Sequence, residues 1–213
     1  AHVIGICDKI IERGYDLNIW VYARVDTIKD EFLEKLKAAG VRWLALGIES
    51  GSKHVRDGVE KGRFGSIDII ATVKKIQEAG IYVIGNYIFG LPDDTYESMQ
   101  ETLDLAIEAN CAFANFYCAM AYPGSKLYDM AQQNNWPLPS SWIGYSQHAY
   151  EIFPLCTEHL TNAEVLKFRD EAFMKYFTHP EYLSLVTRKF GPQVVEHLQK
   201  MTQVKLKRKI LGD

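Results

Sequence analysis

The sequence predicts an α/β fold with parallel strands, and three observations carry that reading. The segments KLKAAGVRWLALGIES (35–50) and KIQEAGIYVIGNYIFG (75–90) align almost residue for residue. AIEANCAFANFYCAMAYPGS (106–125) is a third copy with Asn110 in the glycine position, and IIERGYDLNIWVYARVD (10–26) is a weaker fourth. In each copy an amphipathic end meets Gly or Asn, residues that accept the left-handed conformation closing a helix. The apolar run that follows is hydrophobic on both faces, as in a buried parallel strand. Between the runs, apolar residues recur three and four apart, the period of a helix with one buried face.

In chain order, a helical pattern opens on Ile4, Ile6, Ile10 and Ile11. Strand 17–25 and helix 28–39 follow, the helix carrying Ile28, Phe32, Leu33 and Leu36 on one side. Next come strand 41–48, a short helix 52–60, and helix 66–79 with Ile69, Ile70, Val73 and Ile76. Strand 81–89, helix 95–109 with Met99, Leu103, Leu105 and Ala106, and strand 112–121 complete the repeat. Thr27, Ser66 and Asp94 or Thr95 are the expected N-caps. Four parallel strands stand as an open sheet or as part of a barrel with strands missing, since four do not close one. After Ser125 the pattern changes, and residues 134–161, rich in Pro, Ser and aromatics, read as a long packed loop. Helices 162–177, 180–190 and 192–210 follow, the first behind a capping box at Thr161 and Glu164.

Composition excludes several classes. The 213 residues are 47% hydrophobic and 24% charged with a net charge of −3, so no overall basic field favours nucleic acid or acidic membranes. The basic cluster Lys205-Leu-Lys-Arg-Lys209 reads as a solvated helix end. No run reaches the ~20 apolar residues of a membrane span, and no leader is visible, which predicts a cytoplasmic protein. Cys7, Cys111, Cys118 and Cys156 are scattered and form no CxxC pair, so neither a zinc knuckle nor a dithiol motif is expected. His54, His148, His159, His179 and His197 show no ligand spacing, and no metal site is predicted.

In parallel α/β folds, ligands collect at the carboxyl ends of the strands. Here those ends are Ala23-Arg-Val-Asp26, Gly47-Ile-Glu-Ser-Gly51, Asn86-Tyr-Ile-Phe-Gly90-Leu-Pro-Asp93 and Tyr122-Pro-Gly-Ser125. Each brings small residues, a charge, or both to one rim. Glu49 is the sharpest of them, because a carboxylate at a strand end accepts hydrogen bonds from paired hydroxyls such as those of a ribose. An ion pair with Arg24 or Arg42 is the plainer role for it. Arg24 has two readings, a bidentate clamp on a carboxylate or a pair with Asp26. The Gly90-Leu-Pro turn is either a simple strand-to-helix corner or a place where bare backbone lies against a ligand.

Taken in order, R-x-D, GIES with its glycine, the Asn86–Asp93 stretch in place of G-x-I-x-G-x-x-E, and the YPGS turn resemble the radical S-adenosylmethionine (radical SAM) superfamily over residues 24–125. The resemblance implies a partial (βα) barrel that binds a [4Fe-4S] cluster and S-adenosylmethionine (SAM). Its cofactor-binding set, carried over by position, is Arg24, Glu49, Ser50, Asn86, Ile88, Gly90, Tyr122, Pro123 and Gly124. Glu49 would contact the SAM ribose or methionyl amine with Ser50 beside it, and the backbone of the Asn86–Gly90 strand would lie against adenine. The CxxxCxxC loop that holds the cluster in that family is not in this sequence, so no residue is assigned as catalytic. The chain then reads as the later strands of the core (1–133, lacking its first strands), a loop-rich connection (134–161) and a helical C-terminal extension (162–213).

A looser resemblance of the segment after the core points to members with an upstream cobalamin-binding domain. The function implied is part of an enzyme that generates a 5′-deoxyadenosyl radical to modify an unactivated carbon of a small-molecule substrate, by cobalamin-dependent methylation or by cyclisation. The missing N-terminal part of the polypeptide would be its partner, and the fragment alone would be inactive. The rival reading is a non-catalytic α/β module that binds a ligand or another protein and has lost the cluster.

Overall fold

The computed structural model describes residues 2–58 and 67–213. Strands β1 (Ile19–Arg24), β2 (Val41–Glu49), β3 (Tyr82–Phe89) and β4 (Phe113–Cys118) form one four-stranded sheet in the order β1-β2-β3-β4, with every neighbouring pair parallel. Helix α1 (His2–Glu12) precedes the sheet. Helices α2 (Asp30–Ala38), α3 (Lys53–Gly58), α4 (Ile69–Glu78) and α5 (Tyr96–Ala109) lie between the strands. The predicted α/β alternation is therefore present. Gly40, Gly80 and Asn110 end their helices with φ of +94°, +77° and +42°, the left-handed exit their residue types foretold.

Alternation along each strand sorts its side chains between two faces. Ile19, Val21 and Ala23 of β1, Leu44, Leu46 and Ile48 of β2, and Val83, Tyr87 and Phe89 of β3 join the main core with α2, α4 and α5. The other face is more open, with Trp20 and Tyr22 of β1 exposed and Asn86 and Ile88 of β3 half-buried. Its amino end is covered by the tail. After α7 (Asn162–Phe177), helices α8 (Pro180–Phe190) and α9 (Pro192–Gln203) pack together. Phe190 stacks 5.9 Å from Trp43 and 5.0 Å from Tyr82 at the starts of β2 and β3.

The free edge of β4 is satisfied by side chains rather than by another strand. Tyr176 and Tyr182 hydroxyls donate to the carbonyls of Cys111 and Ala112, and Arg169 Nε donates to that of Phe116. The Gln147 amide closes both backbone groups of Cys118 at 3.1 and 2.9 Å. Side chains from α7, α8 and the 134–161 loop thus blunt an edge that would otherwise invite pairing.

One helix was not foreseen, and three expectations need correction. Helix α6 (Lys126–Gln133), capped by Ser125, lies before the expected loop and was not anticipated. Thr27 does not cap α2; its hydroxyl turns back to the carbonyl of Arg24. Asp68 caps α4 by accepting from Ala71 N, while the expected cap Ser66 and the last residues of helix 52–60 lie outside the described residues. Helix α9 stops at Gln203 instead of 210. The physical reason is Arg208, which is fully buried and donates bidentately to Asp170 at 3.0 and 3.1 Å. A continuing helix would not deliver it there, so the basic run is an anchored strap rather than a solvated helix end. Among the described residues, no helix is long and apolar enough to cross a membrane.

Asp170 also takes the Arg169 guanidinium at 2.6 Å, so two buried cations depend on one carboxylate. Asp170→Asn is expected to lower unfolding free energy by about 3 kcal/mol, read by urea denaturation, because it strands both charges.

Candidate functional site

The open face carries one polar row. Register aligns Arg24 with Gly47, Gly47 with Asn86, and Asn86 with Asn115, across all four strands. Glu49 joins this row through an irregularity. The β2–β3 register slips between Gly47 and Glu49, and Glu49 has a φ of +67°, uncommon for a residue with a side chain. Ile48 continues the alternation of Leu44 and Leu46 into the core, fully buried, while the Glu49 carboxylate folds back over Gly47. A Cβ on Gly47 would sit 3.0 Å from Glu49 Oε1, so glycine is the residue that admits the carboxylate there.

The two asparagines are oriented by a chain of bonds that begins at a backbone atom. Asn86 Nδ2 donates to the carbonyl of Leu46 at 3.1 Å, which turns Asn86 Oδ1 toward β4. Asn115 Nδ2 donates to that oxygen at 2.9 Å. Asn115 was not anticipated from sequence; its period-two spacing from Tyr117 on a parallel strand next to Asn86 was the available signal. At the β1 end of the row, Arg24 grips Asp26 through Nε and Nη2 at 2.9 and 2.6 Å. Further along β4 on the same face, burial raises the Tyr117 phenol, and the Tyr22 phenol of β1 raises it further against the Arg169 charge.

A sequence profile of the Radical SAM superfamily matches residues 3–106, which hold the polar row as far as Asn86. The chain belongs to the radical SAM superfamily. It is 30% identical over 183 residues to an uncharacterized methyltransferase from Pyrococcus horikoshii, an alignment covering 84% of this chain and 38% of that protein. It is 22% identical over 133 residues to the bacteriochlorophyllide d C-8(2)-methyltransferase of Chlorobaculum tepidum, covering 62% of this chain and 30% of the enzyme. The solved structure of the radical S-adenosylmethionine methyltransferase TsrM from Kitasatospora setae, with cobalamin and a [4Fe-4S] cluster bound, superposes with a TM-score of 0.54 at 23% identity. That likeness covers 62% of this chain and 28% of TsrM, and it supports the fold. The chain spans well under half the length of each of these relatives.

Within this radical SAM chain, the residues expected at the cofactor separate into two groups. Arg24, Glu49 and Asn86 stand in the polar row, and Ile88 lies beyond it on the same face. The Ile88 side chain packs against a second apolar cluster of Val55, Leu91, Ala119, Ala121, Ala131 and Leu155 over the strand ends. Tyr122, Pro123 and Gly124 form an exposed turn, closed by Ser125 N donating to the carbonyl of Tyr122, with Gly124 at φ +82°. Tyr122 stacks on Tyr145 at 5.6 Å.

Ser50 and Gly90 are buried and make contacts within the fold. Ser50 is fully buried, its Oγ 3.1 Å from Thr102 Oγ1, and it accepts from Ser52 N; it ties the end of β2 to α5. Gly90 is buried at φ +80°, and a Cβ there would lie 2.5 Å from Val165 of α7. A close approach that requires this glycine is made by α7. Asp94 completes the corner, its Oδ2 accepting from Gly90 N and Leu91 N at 3.0 and 2.9 Å.

The donor set suits a hydroxyl- and amine-bearing ligand: a carboxylate, two oriented amides and a guanidinium on one face. It does not suit an iron–sulfur cluster. Cys7, Cys111, Cys118 and Cys156 are all buried, on α1, before β4, at the end of β4 and in the loop. Burial pushes the Cys111 and Cys118 thiols up to about 12, and the four thiols lie on separate elements. No group of His, Cys, Asp and Glu among the described residues has a metal-holding arrangement.

Two measurements check the roles of Gly90 and the cysteines. Gly90→Ala should cost about 1–3 kcal/mol in urea denaturation. Adding Val165→Ala should recover only part of that, since the clash goes and the strained φ stays; no recovery would mean α7 is not the reason for glycine. At about pH 8 a thiol reagent should leave Cys111 and Cys118 unmodified until the chain is unfolded.

Proposed function

We propose that this chain supplies the SAM- and substrate-side strands of a radical SAM enzyme that modifies an unactivated carbon of a small molecule. The observation that carries the reading is Glu49, held in a left-handed conformation that aims its carboxylate onto the open face beside Asn86. Backbone strain of this kind concentrates at ligand sites, where surrounding structure sustains it. In this reading Glu49 accepts from the ribose hydroxyls or the methionyl amine, the Asn86–Asn115 amides set the hydrogen-bonding polarity beside it, and Arg24 bounds the site at β1. The Ile88 and Tyr122–Gly124 backbone borders the same carboxyl rim.

When bound, a reduced [4Fe-4S] cluster supplies the electron that splits SAM and yields a 5′-deoxyadenosyl radical. The cysteines of this chain do not fit that cluster, so its ligands belong to polypeptide outside these residues. Methylation is the favoured outcome because curated relatives include methyltransferases, and cobalamin joins the proposal through TsrM, whose structure holds cobalamin together with a [4Fe-4S] cluster. Cyclisation is the second chemistry, since an anaerobic magnesium-protoporphyrin IX monomethyl ester cyclase of Rubrivivax gelatinosus is 28% identical over 127 residues. The cysteine burial also favours a second reading, a non-catalytic α/β module that binds a ligand or a partner without a cluster.

With the cluster-bearing part joined to this chain, Glu49→Ala should weaken SAM binding at least about tenfold by calorimetry. Unchanged affinity would remove Glu49 from the site. The chain alone, reconstituted anaerobically with iron and sulfide, should show neither visible cluster absorption nor 5′-deoxyadenosine. Formation of either would overturn the assignment of the cluster ligands to other polypeptide.

A further inference from the structure

The polarity of the Asn86–Asn115 pair is forced by a backbone atom. The carbonyl of Leu46 accepts and cannot donate, so the Asn86 group that meets it at 3.1 Å is Nδ2. Asn86 Oδ1 is therefore turned toward β4, and the Asn115 group that meets it at 2.9 Å is again Nδ2. The chain of bonds ends at Asn115, with Oδ1 and the second Nδ2 hydrogen unspent. Among the described residues, the buried side-chain atoms left without a partner are Arg56 Nε, Tyr87 Oη and Asn110 Oδ1. Asn115 Oδ1, which has no hydrogen bond among the described residues either, is not one of them. It is unpaired without being buried, and so stands ready for a group that enters the open face.

An oriented amide that shows one acceptor beside one donor is the edge that matches adenine, whose 6-amino group donates next to a ring nitrogen that accepts. The position suits a nucleoside as well. Glu49 Oε1 lies over Gly47, and Gly47, Asn86 and Asn115 are in register on β2, β3 and β4. Two strand spacings, about 9–10 Å, separate the place of the carboxylate in the row from Asn115. That span is close to the distance between the ribose hydroxyls and the 6-amino group of an adenosine. Ile88 and Tyr117, in register two residues further along β3 and β4, border the row with half-buried apolar and aromatic surface.

We infer that Asn115 is a specificity-determining residue that reads the adenine edge of SAM, its Oδ1 accepting from the 6-amino group and its free Nδ2 hydrogen donating to the adjacent ring nitrogen. This role rests on the SAM-binding reading of the face. Asn86 is the positioning residue. It holds the Asn115 amide in one sense and prevents the flip that would set two donors against each other at the 6-amino group. A base with a carbonyl in place of the amine, as in inosine, would oppose two acceptors there.

The test is calorimetric titration with SAM of the protein in which the cluster-bearing part is joined to this chain, with adenosine and inosine as competitors. Adenosine should displace SAM at a concentration at least about fivefold below that of inosine. Asn115→Leu should erase that preference, weakening SAM and adenosine together while inosine binds no more weakly than before. Asn86→Leu should erase only part of it, since the Asn115 amide then turns freely. Thermal melting followed by circular dichroism confirms that the variants are folded, and Asn115→Ala serves if leucine disturbs the packing. A preference for adenosine that survives in the Asn115 variants would overturn the assignment, even where Glu49→Ala weakens SAM and the proposed function stands. Equal loss of adenosine and inosine would also overturn it, leaving Asn115 as packing beneath the site. A wild-type protein that does not bind SAM would overturn the proposed function and this role with it.

Discussion

The buried carboxylate of Asp94 is the constraint on which the upper half of the molecule depends. One oxygen receives Gly90 N and Leu91 N, the other receives Ser98 Oγ at 2.6 Å, and the Asp94 backbone carbonyl receives Thr157 Oγ1 at 2.9 Å. One residue thereby joins the end of β3, the first turn of α5 and the loop that runs down from the strand ends. Burial raises its pKa in spite of the bonds to Ser98, Leu91 and Gly90, so desolvation outweighs the hydrogen bonding. Such a group persists only because its lone pairs are filled. With the corner pinned, α7 reaches Gly90 through Val165, and Phe168 meets Phe89 edge-on at 5.1 Å.

The polar row inherits its geometry from the same corner. Ser50, buried against Thr102, and Gly51 N, which donates to Thr102 Oγ1 at 2.8 Å, fasten the end of β2 to α5. Helix α5 is itself seated by the Asp94 corner and by the Thr95–Ser98 capping box. The strained Glu49 sits between these anchors and the sheet, so its carboxylate is placed by packing on the opposite side of the strand. Ser50, buried against α5, is for that reason part of how the site is built.

The two edges of the sheet are treated differently. At β4, side chains of Arg169, Tyr176, Tyr182 and Gln147 take the backbone groups that a further strand would take. At β1, Trp20 and Tyr22 stack on one another 5.9 Å apart and remain exposed. The sealed edge is also where the C-terminal strap docks, through Arg208 and Asp170. Burial of that ion pair converts a run of basic residues into a fixed wall, and the wall borders an apolar groove beside α7.

The sequence by itself determined the alternation of strands and helices and the direction of the sheet. Those features rest on local rules: apolar period, left-handed helix exits at Gly40, Gly80 and Asn110, and capping boxes at Thr95 and Thr161. It also singled out Glu49 and Asn86, because a polar residue at the end of an apolar strand stands out against its neighbours. Only the tertiary structure decided which face each polar residue serves. The reason for Gly90 lies 75 residues away at Val165, the role of Ser50 lies on α5, and the helix expected through 210 ends early for an ion pair with Asp170. Asn115 becomes functional in appearance only once register sets it beside Asn86. Local periodicity carries no information about which distant side chain will fill a given space, and that filling is what sorts a ligand-facing residue from a structural one.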